Sequence, residues 1–336
     1  MVVERIRKRG HIWRRQAAAA AKWFFYRTGN ARPPIYPDRM YLESTNVCNL
    51  SCIMCPTGLQ LARRKKGYMD FALFQAIVDE MAPHVKATTL HIWGEPLLHP
   101  RLIDMIAYCR DKGVHSEIST NATLLDKATS RALIEAGLGT IYLCLDGVSR
   151  ETYERVRRRA DFEETKANIL SFLEIKNAFT GPTPETKLQL IEIGPTAAEI
   201  EEFRQQWSIP GVDRVNIKAF DSWGDQIEEI SELRATENAV PSKRFPCPNL
   251  WYHVHIYWDG TLVRCDRDFD AVGPLGNVAN GVMRAWRGDA MTELRRRHVR
   301  NDLADVVPCN NCMEWSWWRP TLFTSQGNRP VTPAAS

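Results

Sequence analysis

Short runs of β-forming residues alternate with helix-forming stretches over roughly residues 40–220. Asp70 is a candidate N-cap for one of the helical stretches, and Gly113 is a candidate C-cap for the next. Strands that alternate with helices predict parallel βα units. Six such units are too few for a closed eight-stranded barrel, so we expect an α/β fold with an open, partial (β/α)6 barrel. The six runs read MYLEST, TTLHIW, VHSEIST, TIYLCLDG, KLQLIEIG and RVNIKAF.

The stretch STNVCNLSCIMCPTG follows the first strand directly, where the loops of such a barrel carry the chemistry. Cys48, Cys52 and Cys55 are spaced C-x3-C-x2-C in it. Three thiolates on a four-iron cluster would leave one iron with an open coordination position, which is the mark of a catalytic metal site. Zinc is the alternative, but zinc sites favour paired C-x2-C units or added histidines, and neither lies nearby.

The amino-acid composition limits the classes of protein to which the chain can belong. The chain has 336 residues, 44% of them hydrophobic, which suffices for one large domain and one smaller domain. A formal charge of +4 gives no argument for nucleic acid, and no apolar run approaches the ~20 residues that span a bilayer. Nine cysteines in a chain that we expect to be cytoplasmic favour metal or redox chemistry over disulfides.

The ends of the chain and its middle give the predicted domain boundaries. Residues 1–36 are basic, and we expect a helix that packs on the catalytic domain, although such a helix could also lie on an anionic membrane surface. The barrel is expected over residues 37–220. Residues 221–246 are polar and are interpreted as a linker, and residues 319–336 as a mobile tail. Residues 247–318 then form a small C-terminal domain that begins with a β-hairpin and continues with a helix.

A second cysteine set lies in that C-terminal part, spaced C-x17-C-x43-C-x2-C. Four thiolates make a closed site, which suits either structural zinc or a fully ligated 4Fe–4S cluster. The spacing by itself does not choose between them. The four residues are Cys247, Cys265, Cys309 and Cys312.

Four motifs, in order along the chain, resemble those of the radical S-adenosylmethionine (radical SAM) superfamily. The C-x3-C-x2-C motif has Met54 before its last cysteine, and WGEPLLHP resembles the family's GGEP motif with Trp93 in place of the first glycine. STNATLL resembles S-T-N-G-T-L-L, and LCLDGVSRETYERVRR resembles the fourth-strand segment written S-L-D-G. The resemblance implies a TIM-like partial barrel.

The resemblance also implies cofactors and their contacts. The first three cysteines would ligate three irons, and SAM would chelate the fourth and yield a 5′-deoxyadenosyl radical that abstracts a hydrogen atom from a C–H bond. Gly94 and Glu95 would receive the SAM ammonium, Ser119 and Asn121 would face its carboxylate or ribose, and Met54 would lie beside the adenine. An external one-electron reductant of the flavodoxin or ferredoxin type is then required.

The C-terminal stretches WDGTLVRC, LGNV and AWRGDAMTELRRRH resemble the twitch domain, an abbreviated form of the SPASM region. That likeness implies one auxiliary 4Fe–4S cluster on the second cysteine set and therefore two clusters in total. No cysteine remains after Cys312 for a third cluster.

The expected function is that of a radical SAM oxidoreductase or epimerase acting on a small polar metabolite, a sugar or aminocyclitol. Alternation along the fourth strand puts Tyr142 and Cys144 on one face. Packing is the favoured interpretation of Cys144, but if that face points inward its thiol is a possible hydrogen donor for epimerisation. Two alternatives stay open: radical modification of a ribosomal peptide or protein, and a degenerate metal-binding scaffold without activity.

Overall fold

Nine strands form one sheet in the computed structural model, which describes residues 16–236 and 240–322. The strands are β1 (Arg39–Leu42), β2 (Ala87–Thr89), β3 (His115–Thr120), β4 (Thr140–Cys144), β5 (Glu185–Glu192), β6 (Arg214–Ala219), β7 (His253–Ile256), β8 (Thr261–Val263) and β9 (Gly276–Asn277). Their order across the sheet is β6-β5-β4-β3-β2-β1-β7-β8-β9, and β1 to β7 run parallel. The sheet has two edges, at β6 and β9, so the predicted α/β fold with an open, partial barrel is confirmed.

Helices follow the strands as the alternation predicts. They are α1 (16–27), α2 (Phe71–Met81), α3 (Leu102–Asp111), α4 (Lys127–Glu135), α5 (Arg150–Val156), α6 (Phe162–Ala178), α7 (Ile200–Trp207), α8 (Glu228–Ser231), α9 (Asn249–Tyr252), α10 (Val282–Trp286) and α11 (Asp289–Arg300). The Asp70 side chain accepts two N–H groups at the start of α2, and Gly113 has φ +70° just past the end of α3, as both capping predictions require. No helix in the described part of the chain is long and apolar enough to cross a bilayer.

The two faces of the central strands differ in chemistry. Ile118, Ile141 and Leu188 are fully buried in the main core, which fills the space between the sheet and the helices. The opposite face, which we call the lumen face, is polar. There Ser119 contacts Cys144 across β3 and β4, and Asn216 donates a hydrogen bond to Gln189 at 2.8 Å across β5 and β6.

The C-terminal hairpin continues the barrel sheet. β7 pairs in parallel with β1 from Arg39 opposite His253 to Leu42 opposite Ile256, and β8 pairs antiparallel with β7. Helix α1 packs on this part of the chain, where the Tyr26 hydroxyl donates to the Pro246 carbonyl at 2.8 Å. The domain boundaries themselves stay a prediction, and residues 1–15 of the basic segment and 323–336 of the tail lie outside the described residues.

Candidate functional site

Residues 46–57, which we call the cysteine loop, follow β1 at the carboxyl edge of the sheet and carry the first three cysteines. Its backbone is held from outside, because the Ser51 N–H donates to the Arg158 carbonyl at 3.0 Å and the Ile53 N–H to the Val156 carbonyl at 3.1 Å. Within the loop, the Cys55 N–H donates to the Cys52 carbonyl at 3.2 Å. These bonds fix the loop against the end of α5.

The three thiols of the loop are free, and burial desolvates those of Cys48 and Cys52. Burial raises the pKa of Cys48 to about 12 and that of Cys52 to about 11, and neighbouring thiols of the loop add to both shifts because thiolates repel one another. The thiols are thus close enough for a charge on one to shift the pKa of another. Free thiols on one short loop, two of them desolvated, fit a soft metal cluster that would hold them as thiolates.

Arg157 and Asp146 stand beside this set, and sequence reasoning did not single them out. Arg157 Nη1 lies 3.5 Å from Cys52 Sγ, and its Nε donates to Asp146 Oδ2 at 2.6 Å. Burial alone would lower the pKa of Arg157, but Asp146 and Cys52 raise it, so the guanidinium stays charged. The Asp146 carboxylate also accepts the Ile191 N–H at 2.7 Å. Asp146 could have been found from the sequence, because it is the Asp of the LDG motif. Arg157 lies in the same motif-bearing stretch, but nothing in the sequence indicates that it contacts a cysteine.

Glu95 follows β2, and its side chain forms hydrogen bonds with the end of β3. Its buried carboxylate accepts the Thr120 hydroxyl at 2.7 Å, the Asn121 N–H at 2.8 Å and the Leu97 N–H at 3.1 Å, and burial raises its pKa. Its own N–H donates to the Val47 carbonyl of the cysteine loop at 2.8 Å. The side chain is therefore engaged by the chain itself, and its expected contact with the SAM ammonium stays a prediction.

The loop after β3 is tied to the cysteine loop as well. Asn121 Nδ2 donates to Asn49 Oδ1 at 3.0 Å, and Asn49 Nδ2 donates to Thr123 Oγ1 at 2.8 Å. On the lumen face, the Ser119 N–H donates to His91 Nδ1 at 2.9 Å. The structure thus brings the predicted SAM-contacting residues Gly94, Glu95, Ser119 and Asn121 to one edge, next to the cysteines.

Gly94 permits a close approach of this strand end to the cysteine loop. Its φ is +86°, and a Cβ there would lie 2.6 Å from the Val47 carbonyl oxygen and 2.7 Å from the Thr45 carbonyl oxygen. We expect Gly94→Ala to lower the free energy of unfolding by roughly 2–5 kcal/mol, from left-handed strain of about 1–2 kcal/mol and overpacking of about 1–3 kcal/mol. Chemical denaturation measures this.

A matched control is Gly113→Ala, since Gly113 also has a positive φ (+70°) but open space where the Cβ would lie. It should show the left-handed strain alone. Equal losses of stability in the two variants would contradict the steric account of Gly94.

Met54 is buried under two tryptophans. Its carbonyl accepts Trp223 Nε1 at 2.8 Å, and the rings of Trp93 and Trp223 lie 4.7 Å apart in an edge-to-face arrangement. Trp223 comes from the stretch interpreted as a linker, so part of that stretch covers the site. The place of Met54 beside an adenine stays a prediction.

The second cysteine set converges on one recess of about 330 Å3, its open mouth included. Burial lowers the pKa of His298 in its wall to about 3, and the ring accepts the Cys247 N–H at Nδ1, so the proton lies on Nε2. That buried Nε2–H and the Nε–H of Arg244 find no acceptor among the described residues. Orphaned donors beside four thiols fit an anionic group with acceptor atoms, as an iron–sulfur cluster is. The recess contains Cys247, Cys265, Cys309 and Cys312.

A buried ion network joins this recess to the end of β6. Arg267 lines the recess and pairs with Asp221, which follows β6, at 2.5 Å and with Glu314 at 3.5 Å. The Cys312 thiol donates to the Glu314 carboxylate at 3.0 Å. Among the described residues, no three His, Cys, Asp or Glu side chains are placed to share a single metal ion.

Two family models match the chain. The model of the radical SAM superfamily matches residues 42–180, and the model of an iron–sulfur cluster-binding domain, SPASM, matches residues 247–313. The first segment contains the cysteine loop, and the second contains all four cysteines of the recess. Both matches therefore coincide with the thiol sets that the geometry had brought together.

Curated relatives match a smaller part of the chain. The tungsten-containing aldehyde ferredoxin oxidoreductase cofactor-modifying protein of Pyrococcus furiosus is 38% identical over 109 residues, 32% of this chain and 30% of that protein. The PqqA peptide cyclase of Gluconobacter oxydans is 32% identical over 124 residues, 37% of this chain and 34% of that protein. The chain thus spans about a third of the length of these relatives.

Solved structures share the fold over a larger part of the chain. BtrN in complex with AdoMet and 2-DOIA superposes with a TM-score of 0.56 at 15% identity, covering 82% of this chain and 93% of BtrN. Streptococcus suis SuiB bound to the precursor peptide SuiA gives a TM-score of 0.58 at 14% identity, covering 77% of this chain and 66% of SuiB. At these identities the likeness concerns the fold.

Proposed function

Because the chain belongs to the radical SAM superfamily and carries an iron–sulfur cluster-binding domain, we propose that it oxidises a small polar metabolite, a sugar or aminocyclitol. The reaction would remove a hydrogen atom from a C–H bond of the substrate, and then a proton and one electron. The observation that supports this proposal is the polar lumen face, which ends at the cysteine loop.

The lumen face offers hydrogen-bonding groups rather than apolar surface. Glu117 forms a two-point ion pair with Arg39 there, at 2.6 and 2.8 Å. Lys187 Nζ donates to the Tyr142 hydroxyl at 3.3 Å. Cys144 contacts both Ser119 and Gln189, and Gln189 in turn accepts a hydrogen bond from Asn216. Buried polar groups of this kind favour a ligand with many hydroxyl or amino groups, because such a ligand replaces the water they lose.

The residues of the chain would divide the work. The cysteine loop would hold one 4Fe–4S cluster, and the four cysteines of the recess would hold the auxiliary one. When bound, the first cluster and SAM supply a 5′-deoxyadenosyl radical, and the auxiliary cluster supplies an electron acceptor. Arg157 would balance negative charge at Cys52, and Asp146 would hold Arg157 in place. Gly94, Ser119, Asn121 and Met54 would bind and orient SAM, and Glu95 would keep their strand ends together.

Anaerobic reconstitution with iron and sulfide, followed by reduction with dithionite in the presence of SAM, tests the proposal. A panel of sugars and aminocyclitols should contain a compound that increases 5′-deoxyadenosine formation and loses about 2 Da, the mass of two hydrogens. A panel of short peptides is the matched alternative, since one relative is named PqqA peptide cyclase and SuiB was solved bound to the precursor peptide SuiA. Turnover of a peptide would contradict the proposal that the substrate is a small metabolite. The absence of any 5′-deoxyadenosine would favour a metal-binding scaffold without activity.

Epimerisation is the second candidate, because Cys144 lies on the lumen face. Cys144 Sγ is 3.1 Å from Ser119 Oγ and 3.5 Å from Gln189 Nε2. Burial raises the pKa of Cys144, so the thiol keeps its proton at neutral pH. An S–H bond is weaker than a sugar C–H bond, so a nearby thiol can return a hydrogen atom to a carbon radical.

For an epimerase, we expect Cys144→Ala to form 5′-deoxyadenosine but no inverted product, and the native enzyme in D2O to place one deuterium at the inverted carbon. Mass spectrometry and NMR of the product measure both. Cys109→Ala is the control, because Cys109 is a fully buried core thiol on α3. Unchanged turnover in Cys144→Ala would show that its thiol only packs, and would strengthen oxidation.

A further inference from the structure

Five exposed cationic side chains flank the cysteine loop on two sides, and we call them the basic rim. They are Arg63, Lys65, Lys66, Arg158 and Arg159. The mechanism proposed above does not use them.

Backbone contacts place both halves of the rim against the loop that carries the cysteines. On one side, the Arg158 carbonyl accepts the N–H of Ser51, the residue directly before Cys52, at 3.0 Å. On the other side, Asn46 Nδ2 donates to the Lys65 carbonyl at 2.8 Å, and Lys66 Nζ donates to the Asn46 carbonyl at 3.1 Å. Cationic residues therefore adjoin the cysteine loop on two sides.

The side chains of the rim lack carboxylate partners in the described part of the chain, although the Asp270 carboxylate accepts the backbone N–H of Arg63 at 2.5 Å. None of its five side chains forms an ion pair with a carboxylate in the described ranges 16–236 and 240–322, whereas Arg297 and Arg300 on α11 pair with Asp305 and Glu293. The formal charge of the whole chain is only +4, so this positive field is local. Uncompensated charge of one sign steers an oppositely charged protein to a particular patch.

We propose that the basic rim is the docking surface for an acidic one-electron carrier protein of the flavodoxin or ferredoxin type. The carrier loses one electron there, and the group held by the cysteine loop gains it. The inference rests on the proposed function only in requiring a redox group on that loop. A short rim of five side chains around one loop suits a small acidic protein better than a nucleic acid, which would need a longer basic track.

Stopped-flow reduction of the reconstituted enzyme by a purified reduced bacterial flavodoxin tests the proposal. Arg158→Glu/Arg159→Glu and Arg63→Glu/Lys65→Glu should each slow the second-order reaction at least about tenfold at low salt. The difference should shrink at higher ionic strength, because the Debye length falls from about 10 Å at 0.1 M to about 3 Å at 1 M. The two variants change opposite sides of the loop, so a local folding defect in one of them would not explain slow reduction in both.

Lys86→Glu/Arg214→Glu is the matched control. Both side chains are exposed, but Lys86 precedes β2 and Arg214 begins β6, so they lie at the edge of the sheet opposite to the cysteine loop. This variant should react with flavodoxin at the native rate. Photoreduced 5-deazariboflavin, a small uncharged reductant, should reduce all variants equally.

The outcomes separate the two proposals. Native flavodoxin rates in both rim variants, or equal slowing in the control, would overturn the docking surface and leave the proposed function intact. So would tight binding of a labelled RNA oligonucleotide that the rim variants abolish while their flavodoxin rates stay native. Failure of both reductants on the native enzyme would overturn the redox group of the cysteine loop and the docking proposal together.

Discussion

Replacing Cys48, Cys52 and Cys55 together by alanine is expected to halve the iron and sulfide of the reconstituted protein and to abolish 5′-deoxyadenosine formation. Two 4Fe–4S clusters correspond to about eight irons and eight sulfides per chain, and the variant should keep about four of each. The remaining four come from the recess, whose thiols belong to a separate part of the chain. Iron and sulfide assays, with chromatography of the nucleoside product, measure the effect.

Cys109→Ala serves as the control here as well, because it removes a cysteine that lies in the core between sheet and helices. Its iron content and SAM cleavage should be those of the native enzyme. SAM cleavage that persisted in the triple variant would show that the cysteine loop is not the site of the catalytic cluster.

Cys265→Ala/Cys309→Ala is expected to have an equally large but different effect. Removing two of the four thiols of the recess should release its cluster and lower the iron from about eight to about four per chain. The enzyme should still form 5′-deoxyadenosine, since the cysteine loop is untouched, but the yield of oxidised product should fall to background because the electron acceptor is missing. Metal analysis and product mass spectrometry measure the two parts.

The identity of the metal in the recess decides this prediction. Native protein with about four irons and one zinc per chain would contradict the auxiliary cluster, since one zinc ion satisfies four thiolates in a closed site. Full oxidation by the double variant would instead show that the electron leaves by another route.

Much of the fold was predictable because its local signals agree with its tertiary structure. All six predicted strand runs overlap β1 to β6, and the alternation of apolar residues along β4 is the one that the core uses. The helix caps at Asp70 and Gly113 were predictable from the sequence, because each depends on side chains and φ angles within a few residues. The junction of the hairpin with β1 was not readable, because pairing of Arg39 with His253 depends on backbone groups that any sequence could supply.

The candidate site divides in the same way. The sequence located the cysteines, Gly94 and Asn121 through motifs, which are contiguous. It did not single out Arg157 or Asp221, whose partners Cys52 and Arg267 lie far away along the chain. It also left the direction of Cys144 open, because alternation defines two faces of a strand but not which of them meets the helices.

The order of strands and helices was predictable without the fold, and so were the two cysteine sets and the family whose motifs they match, because each depends on residues that are near neighbours or follow a repeat. The fold was needed to show that the hairpin extends the barrel sheet, that Arg157 lies beside Cys52, and that cations from residues 63–66 and 158–159 adjoin one loop. These features arise when distant segments are brought together by packing. Charge and burial at such junctions depend on distance in space, which spacing along the chain does not contain.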